Sequence, residues 1–101
     1  GHTTLGWLGV KIQQLYDEAA ETIGLPKAMG ARIMKVTKDS PADKAGIKAG
    51  DVITGFDGKD IAEMRHLPRM VAETKIGKKV TLTYWRGGKS GTAQLTVGRL
   101  D

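Results

Sequence analysis

The sequence predicts an α+β fold: a small, largely antiparallel, barrel-like sheet capped by helices. Three observations carry this. Short runs rich in Val, Ile and Thr are bounded by glycine-bearing turns. Segments with helix punctuation lie between them. The chain has 101 residues, 40% of them hydrophobic, which is enough for one small core and one domain.

The first strand is expected at Val10 to Gln14, where apolar and polar residues alternate weakly. Asp17 through Ile23 reads as a helix. Leu15, Ala19 and Ile23 recur every four residues, Asp17 and Glu18 place acids in the first turn, and Gly24 with Pro26 ends it. Gly30 to Lys38 is the next strand, with Ile33, Met34 and Val36 supplying the propensity and Ala31 opening a stretch that belongs centrally in the sheet. Ser40 then caps a short helix. Pro41 suits its first position, Asp43 reaches back as a capping-box acid, and Gly46 closes it.

A strand at Asp51 to Phe56 leads into an Asp57-Gly58 turn and a brief strand at Asp60-Ile61. In the third helix Pro68 cannot donate an intrahelical bond, so it belongs near the first turn, which places the regular part at Leu67 to Glu73 with an exit at Gly77. Lys79 to Arg86 and Thr92 to Val97 form a hairpin around Gly87-Gly88-Lys89. Val80, Leu82 and Tyr84 share one face, opposite Leu95 and Val97.

Composition excludes several chemistries. Without cysteine there is neither a disulfide nor a thiolate metal site. Two distant histidines and dispersed acids offer no ligand spacing, so no metal and no cofactor is expected. Catalysis by a Ser-His-acid site is not expected either. Ser40 is engaged as a cap, Ser90 sits in a hairpin turn rather than a strand-to-helix elbow, and only His2 and His66 are available. The net charge of +5 raises the question of nucleic acid. Lys and Arg are scattered singly, and the denser places, Lys75 with Lys78-Lys79 and Arg86 with Lys89, do not interleave with aromatics, so a solvated surface is expected. No apolar run approaches a membrane span and no signal peptide is recognised.

The stretch Gly6-Trp7-Leu8-Gly9-Val10 is the most informative. A glycine in a turn that opens into a strand lets the backbone take positive φ and aim successive N–H groups into one concavity, as a carboxylate needs from an uncharged site. Trp7, Leu8 and Val10 would wall that concavity. The plain alternative is a glycine-rich entry to a buried strand.

The segment Ser40-Pro41-Ala42-Asp43-Lys44-Ala45-Gly46-Ile47-Lys48-Ala49-Gly50-Asp51-Val52-Ile53, running on through Phe56-Asp57-Gly58-Lys59-Asp60-Ile61, resembles the central signature of PDZ domains. With Trp7-Leu8-Gly9-Val10 ahead of it, the chain from Gly6 to Val97 is similar to a PDZ domain of the bacterial HtrA (Do-like) serine proteases. Two positions depart from that family's pattern. Leu5 stands where many members carry a basic residue, and Asp57 where Asn is common; Asp-Gly supports the same turn.

The resemblance implies a PDZ-like antiparallel β-barrel or sandwich of five to six strands capped by two to three helices, in the bacterial, circularly permuted topology. The domain would span residues 5–98, with residues 1–4 a cloning remnant or linker and 99–101 a tail. It further implies a peptide-binding module without catalysis of its own, whose partners are C-terminal or unfolded peptide segments and the protease domain of the same parent chain. Nucleic acid and membrane insertion are not expected, the isolated domain would be a monomer, and the parent would work in the periplasm or cell envelope. A tail would add beside Val10 to Gln14, its carboxylate accepting from the N–H groups of Leu8, Gly9 and Val10 in a loop that includes Trp7. Its last side chain would enter between Leu8, Val10, Ile12 and the third helix. There Pro68, Val71 and Ala72 face the groove, Arg65 lies near the mouth, and Leu67 and Met70 turn inward. His66 could instead sit at the mouth. Alternatives from other classes are the PDZ domain of a site-2 or tail-specific protease, a scaffold module, and a basic nucleic-acid binder.

Overall fold

The computed structural model describes residues 6–25 and 28–99. The expectations for residues 1–4, Leu5, Pro26 and residues 100–101 lie outside the described residues. In chain order the elements are β1 (Gly6–Trp7), β2 (Val10–Gln14), α1 (Asp17–Thr22), β3 (Ala31–Val36), α2 (Pro41–Lys44), β4 (Val52–Phe56), β5 (Lys59–Asp60), α3 (His66–Ala72), β6 (Lys79–Arg86), β7 (Lys89–Thr96) and β8 (Gly98–Arg99).

The main sheet runs β2-β3-β4-β6-β7 with β5 added to β4, and every pairing is antiparallel. The sheet stays open, with β2 and β7 as its two edges. β1 and β8 form a separate two-stranded ribbon that pairs Gly6 with Arg99 and Trp7 with Gly98. That ribbon was not expected from the sequence, and it takes in Arg99, read there as the first residue of a tail.

Turn chemistry accounts for the boundaries. Arg86 pairs with Lys89, so the hairpin closes on Gly87 and Gly88 alone, at φ 58° and 81°. Two consecutive positive-φ residues make the turn whose twist matches the strands, and pairing therefore begins at Lys89 rather than at Thr92. The same geometry recurs at Asp57 and Gly58, φ 51° and 83°, between β4 and β5. At α2 the Ser40 Oγ accepts from the Asp43 N–H at 3.2 Å, while the Asp43 carboxylate accepts from the Asp39 N–H at 2.8 Å. The acid thus reaches the residue before the cap and fixes the Asp39 backbone at φ 63°.

Two apolar clusters fill the interior. The larger gathers Leu8, Ile33, Ile53, Phe56, Ile61, Leu67, Val71, Leu82 and Val97 between the sheet, α2 and α3. The smaller, Leu15, Ala20, Leu25 and Val52, lies beneath α1 and is covered by Trp85, whose indole N–H donates to the Ile23 carbonyl at 2.7 Å. Each fully buried Leu or Ile contributes about 1.5–3 kcal/mol.

Among the described residues one charged group is interior. Asp51 is 2% exposed, and its carboxylate accepts from Arg86 Nε at 2.7 Å, from Arg86 Nη2 at 2.5 Å and from the Lys48 N–H at 2.9 Å. Arg86 also donates to the Gly46 carbonyl at 2.9 Å and lies over the Tyr84 ring, 4.7 Å from its centroid. The bond to Asp51 holds the guanidinium still further above its ordinary pKa, outweighing the opposing effect of burial. The two-pronged bond ties the loop after α2 to the end of β6.

Its two halves are unequal. Arg86→Met strands a buried carboxylate with one remaining N–H donor and is expected to cost about 3–5 kcal/mol, whereas Asp51→Asn leaves a guanidinium that water reaches and should cost about 1–3 kcal/mol. Urea unfolding of both variants measures this. Costs below about 1 kcal/mol for each would show an ordinary surface pair.

Candidate functional site

The loop between β1 and β2 is held from one side. Leu8 is buried in the larger cluster, and its carbonyl accepts from the Ala42 N–H of α2 at 3.0 Å. The next carbonyl, of Gly9, accepts from the Thr37 N–H at 2.8 Å. Both oxygens are therefore committed to α2 and the end of β3. Among the described residues, no backbone bond outside the sheet ladders uses the N–H groups of Leu8, Gly9 or Val10.

Gly9 has φ +82°, and a Cβ placed on it would lie 2.2 Å from the Cβ of Ser40 and 2.7 Å from its Oγ. Two constraints thus coincide at one residue: a left-handed backbone and the absence of room. Ser40 is itself buried, 1% exposed, because the same hydroxyl caps α2.

β2 carries the loop into an open edge. Val10, Ile12 and Gln14 are half-buried while Lys11 and Gln13 are exposed, and Val10 and Ile12 pack on the larger cluster. Opposite Ile12 stands Ile33, whose N–H donates to the Asp51 carbonyl at 2.7 Å and whose carbonyl accepts from the Gly50 N–H at 2.8 Å. Ile33 therefore spends its backbone groups away from β2. Strand alternation then turns the N–H and C=O of Ile12 the other way, to the outer edge of the sheet.

α3 packs on the same cluster. Leu67 and Val71 are buried in the cluster that also holds Leu8, Met70 is half-buried against it, and Pro68 and Ala72 are exposed. Of the three α3 residues expected at the groove, Val71 is thus buried in the core, whereas Pro68 and Ala72 are exposed. The approach to α3 is tied to β2 by the Met64 N–H, which donates to Gln14 Oε1 at 3.1 Å. That bond spans 50 residues of sequence, and nothing local to Gln14 signals it.

Arg65 is exposed but already engaged, its Nε 2.5 Å from Glu63 Oε2. Hydrogen bonding to Arg65, with its charge adding to the effect, keeps the Glu63 carboxyl below the ordinary carboxylate range. His66, a third exposed, lies 3.9 Å from the same oxygen. Among the described residues no group of His, Asp and Glu is arranged to hold a metal ion, and no helix is long and apolar enough to cross a membrane. A cleft of about 390 Å³, lined by Phe56, Asp57, Met70 and Lys78 among others, opens at the C-terminal end of α3.

A family profile described as the PDZ domain matches residues 6–97. The chain is 43% identical over 100 residues to a probable periplasmic serine endoprotease, DegP-like, of Rhizobium meliloti (strain 1021), covering 99% of this chain and 20% of that protein. It is equally identical over 97 residues to the protein of the same description from Marinomonas sp. (strain MWYL1), covering 96% and 21%. The chain thus spans about a fifth of the length of the curated relatives it matches. Among solved structures, an HtrA-type protease AlgW with decapeptide superposes with TM-score 0.86 at 33% identity, over 97% of this chain and 30% of that one. The HtrA3 PDZ domain bound to a phage-derived ligand, 17% identical, shares the fold with TM-score 0.78 over 96% and 88%.

The contact between Gly9 and Ser40 can be read by coupling. Gly9→Ala should destabilise by about 2–4 kcal/mol, from positive-φ strain and the collision together. Adding Ser40→Gly, which by itself costs only a few tenths of a kcal/mol at a cap, removes the collision and should restore roughly half of the loss. Strictly additive costs in chemical denaturation would mean that the loop simply moves away from α2.

Proposed function

This chain belongs to the PDZ domain family, and we propose that it captures C-terminal tails of misfolded or substrate polypeptides by adding them as an antiparallel strand to the edge of β2. The observation that carries this reading is the continuity of the Gly9 turn with an edge strand whose Ile12 backbone groups face outward. A carboxylate accepts from the N–H groups of Leu8, Gly9 and Val10. The strand behind it bonds to β2, and its last side chain packs among Leu8, Val10, Ile12 and Val71, with Pro68 and Ala72 at the rim and Trp7 beside the loop. Arg65, neutralised by Glu63, contributes little charge to the carboxylate, so backbone donors do that work.

The parent, in this reading, is a periplasmic HtrA-type serine endoprotease. The capture module delivers tails to its protease domain or signals their presence. Support comes from the DegP-like relatives and from the peptide complexes among the similar structures. The module itself performs no bond cleavage, needs no cofactor and acts as a monomer.

Peptides differing only at their end test the reading. Replacing the free carboxylate by an amide removes a charge-assisted contact and should weaken binding by about 1.5–3 kcal/mol, roughly ten- to a hundredfold, in calorimetry. Tails ending in Val, Leu or Phe should exceed the same tail ending in Asp or Lys by a similar factor, because an unpaired charge is not cheaply desolvated there. Equal affinity of free and amidated peptides would remove the carboxylate from the reading.

A further inference from the structure

The outer face of the β2–β3 pair concentrates positive charge that the protein leaves uncompensated. Lys11 stands directly across from Lys35, and Gln13 from Arg32, in the register of the pair. All four side chains are exposed. Like charges facing one another across a ladder destabilise it. Here no ion pair among the described residues engages Lys11, Arg32 or Lys35. The register slips between Lys11 and Ile12, which leaves Met34 as the extra residue of β3, and its side chain is 51% exposed on this same stretch.

This face borders the open edge of β2. A strand added to that edge alternates as β2 does. Residues opposite Val10 and Ile12 point inward, and residues opposite Lys11 and Gln13 point to the outer face. With the terminal residue opposite Val10, the next-to-last lies beside Lys11 and the fourth from the end beside Gln13. Directly opposed Cβ atoms in such a ladder are about 4.5–5.5 Å apart, within reach of a lysine or arginine one strand further on.

Resting on the tail-capture reading above, we propose that the outer β2–β3 face selects acidic side chains at the next-to-last and fourth-from-last positions of the tail, through Lys11 with Lys35 and through Arg32 respectively. The occupant is fixed by charge complementarity: an acid there completes a cross-strand row that the fold leaves as bare cations. A basic residue there extends the repulsion.

The experiment uses the 101-residue chain and fluorescein-labelled peptides with a free carboxylate and an apolar last residue, carrying Glu, Gln or Lys at either outward position. Glu should bind roughly two- to fivefold tighter than Gln at each position, and Lys weaker still. The preference should all but vanish in 1 M salt, where the screening length is about 3 Å. Lys11→Gln combined with Lys35→Gln should abolish the preference at the next-to-last position only, and Arg32→Gln at the fourth from last only. The double variant should also melt slightly above the parent, since a repulsive pair has gone. Equal binding of Glu, Gln and Lys peptides, with the free carboxylate still required, overturns the selection and leaves tail capture standing. Failure of every peptide to bind overturns both. A Glu preference that ignores position and survives all three substitutions overturns the residue assignment.

Discussion

The near-contact of Gly9 with Ser40 is the constraint on which the arrangement around the β1–β2 loop depends. Ser40 is held in place by capping α2, and α2 is held in turn by Ala42, whose N–H bonds to the Leu8 carbonyl. The loop therefore rests on a helix that is itself fastened to the loop. Thr37, at the end of β3, closes the circuit through the Gly9 carbonyl. A side chain at residue 9 would open this circuit at its narrowest point. With both carbonyls turned toward α2 and β3, the course of the loop is fixed in advance, which is what the proposed tail capture asks of it.

Much of the fold was legible because glycine, proline and capping residues punctuate it. Ser40-Pro41 with Gly46, the Asp57-Gly58 turn and the paired glycines at 87 and 88 each fix a local geometry that only a few residue types permit. What could not be read is what distance in sequence conceals. The bond between Trp85 and Ile23 spans 62 residues and that between Arg86 and Asp51 spans 35. Arg86 looked like one more solvated cation beside a turn. The β1–β8 ribbon is two residues deep and contains two glycines, so neither propensity nor periodicity marks it.

At the loop and groove the division is similar. The positive φ of Gly9 follows from its place between Leu8 and Val10 in a turn that opens a strand. That Ser40 also limits the space above it did not follow, because its role as a cap already accounted for its chemistry. Scattered lysines are another instance. Lys11 is well separated along the chain from Arg32 and Lys35, and only the strand register, with its slip at Met34, brings the three onto one face. Charge counted by sequence position measures dispersion along a line, whereas recognition depends on density over a surface.

The β1–β8 ribbon has a mechanical consequence. Gly6 and Arg99 face each other at its outer end, and Trp7 and Gly98 lie one step further in. Any chain continuing beyond either residue departs from the same spot, so tension between two such tethers peels the ribbon one pair at a time rather than shearing it whole. Next in line after Trp7 are Leu8 and Gly9. Once the ribbon has parted, a load on the tethers would thus fall on the β1–β2 loop at one end and, through Val97, on β7 at the other, so that the loop and an edge of the sheet would register together how the domain is held.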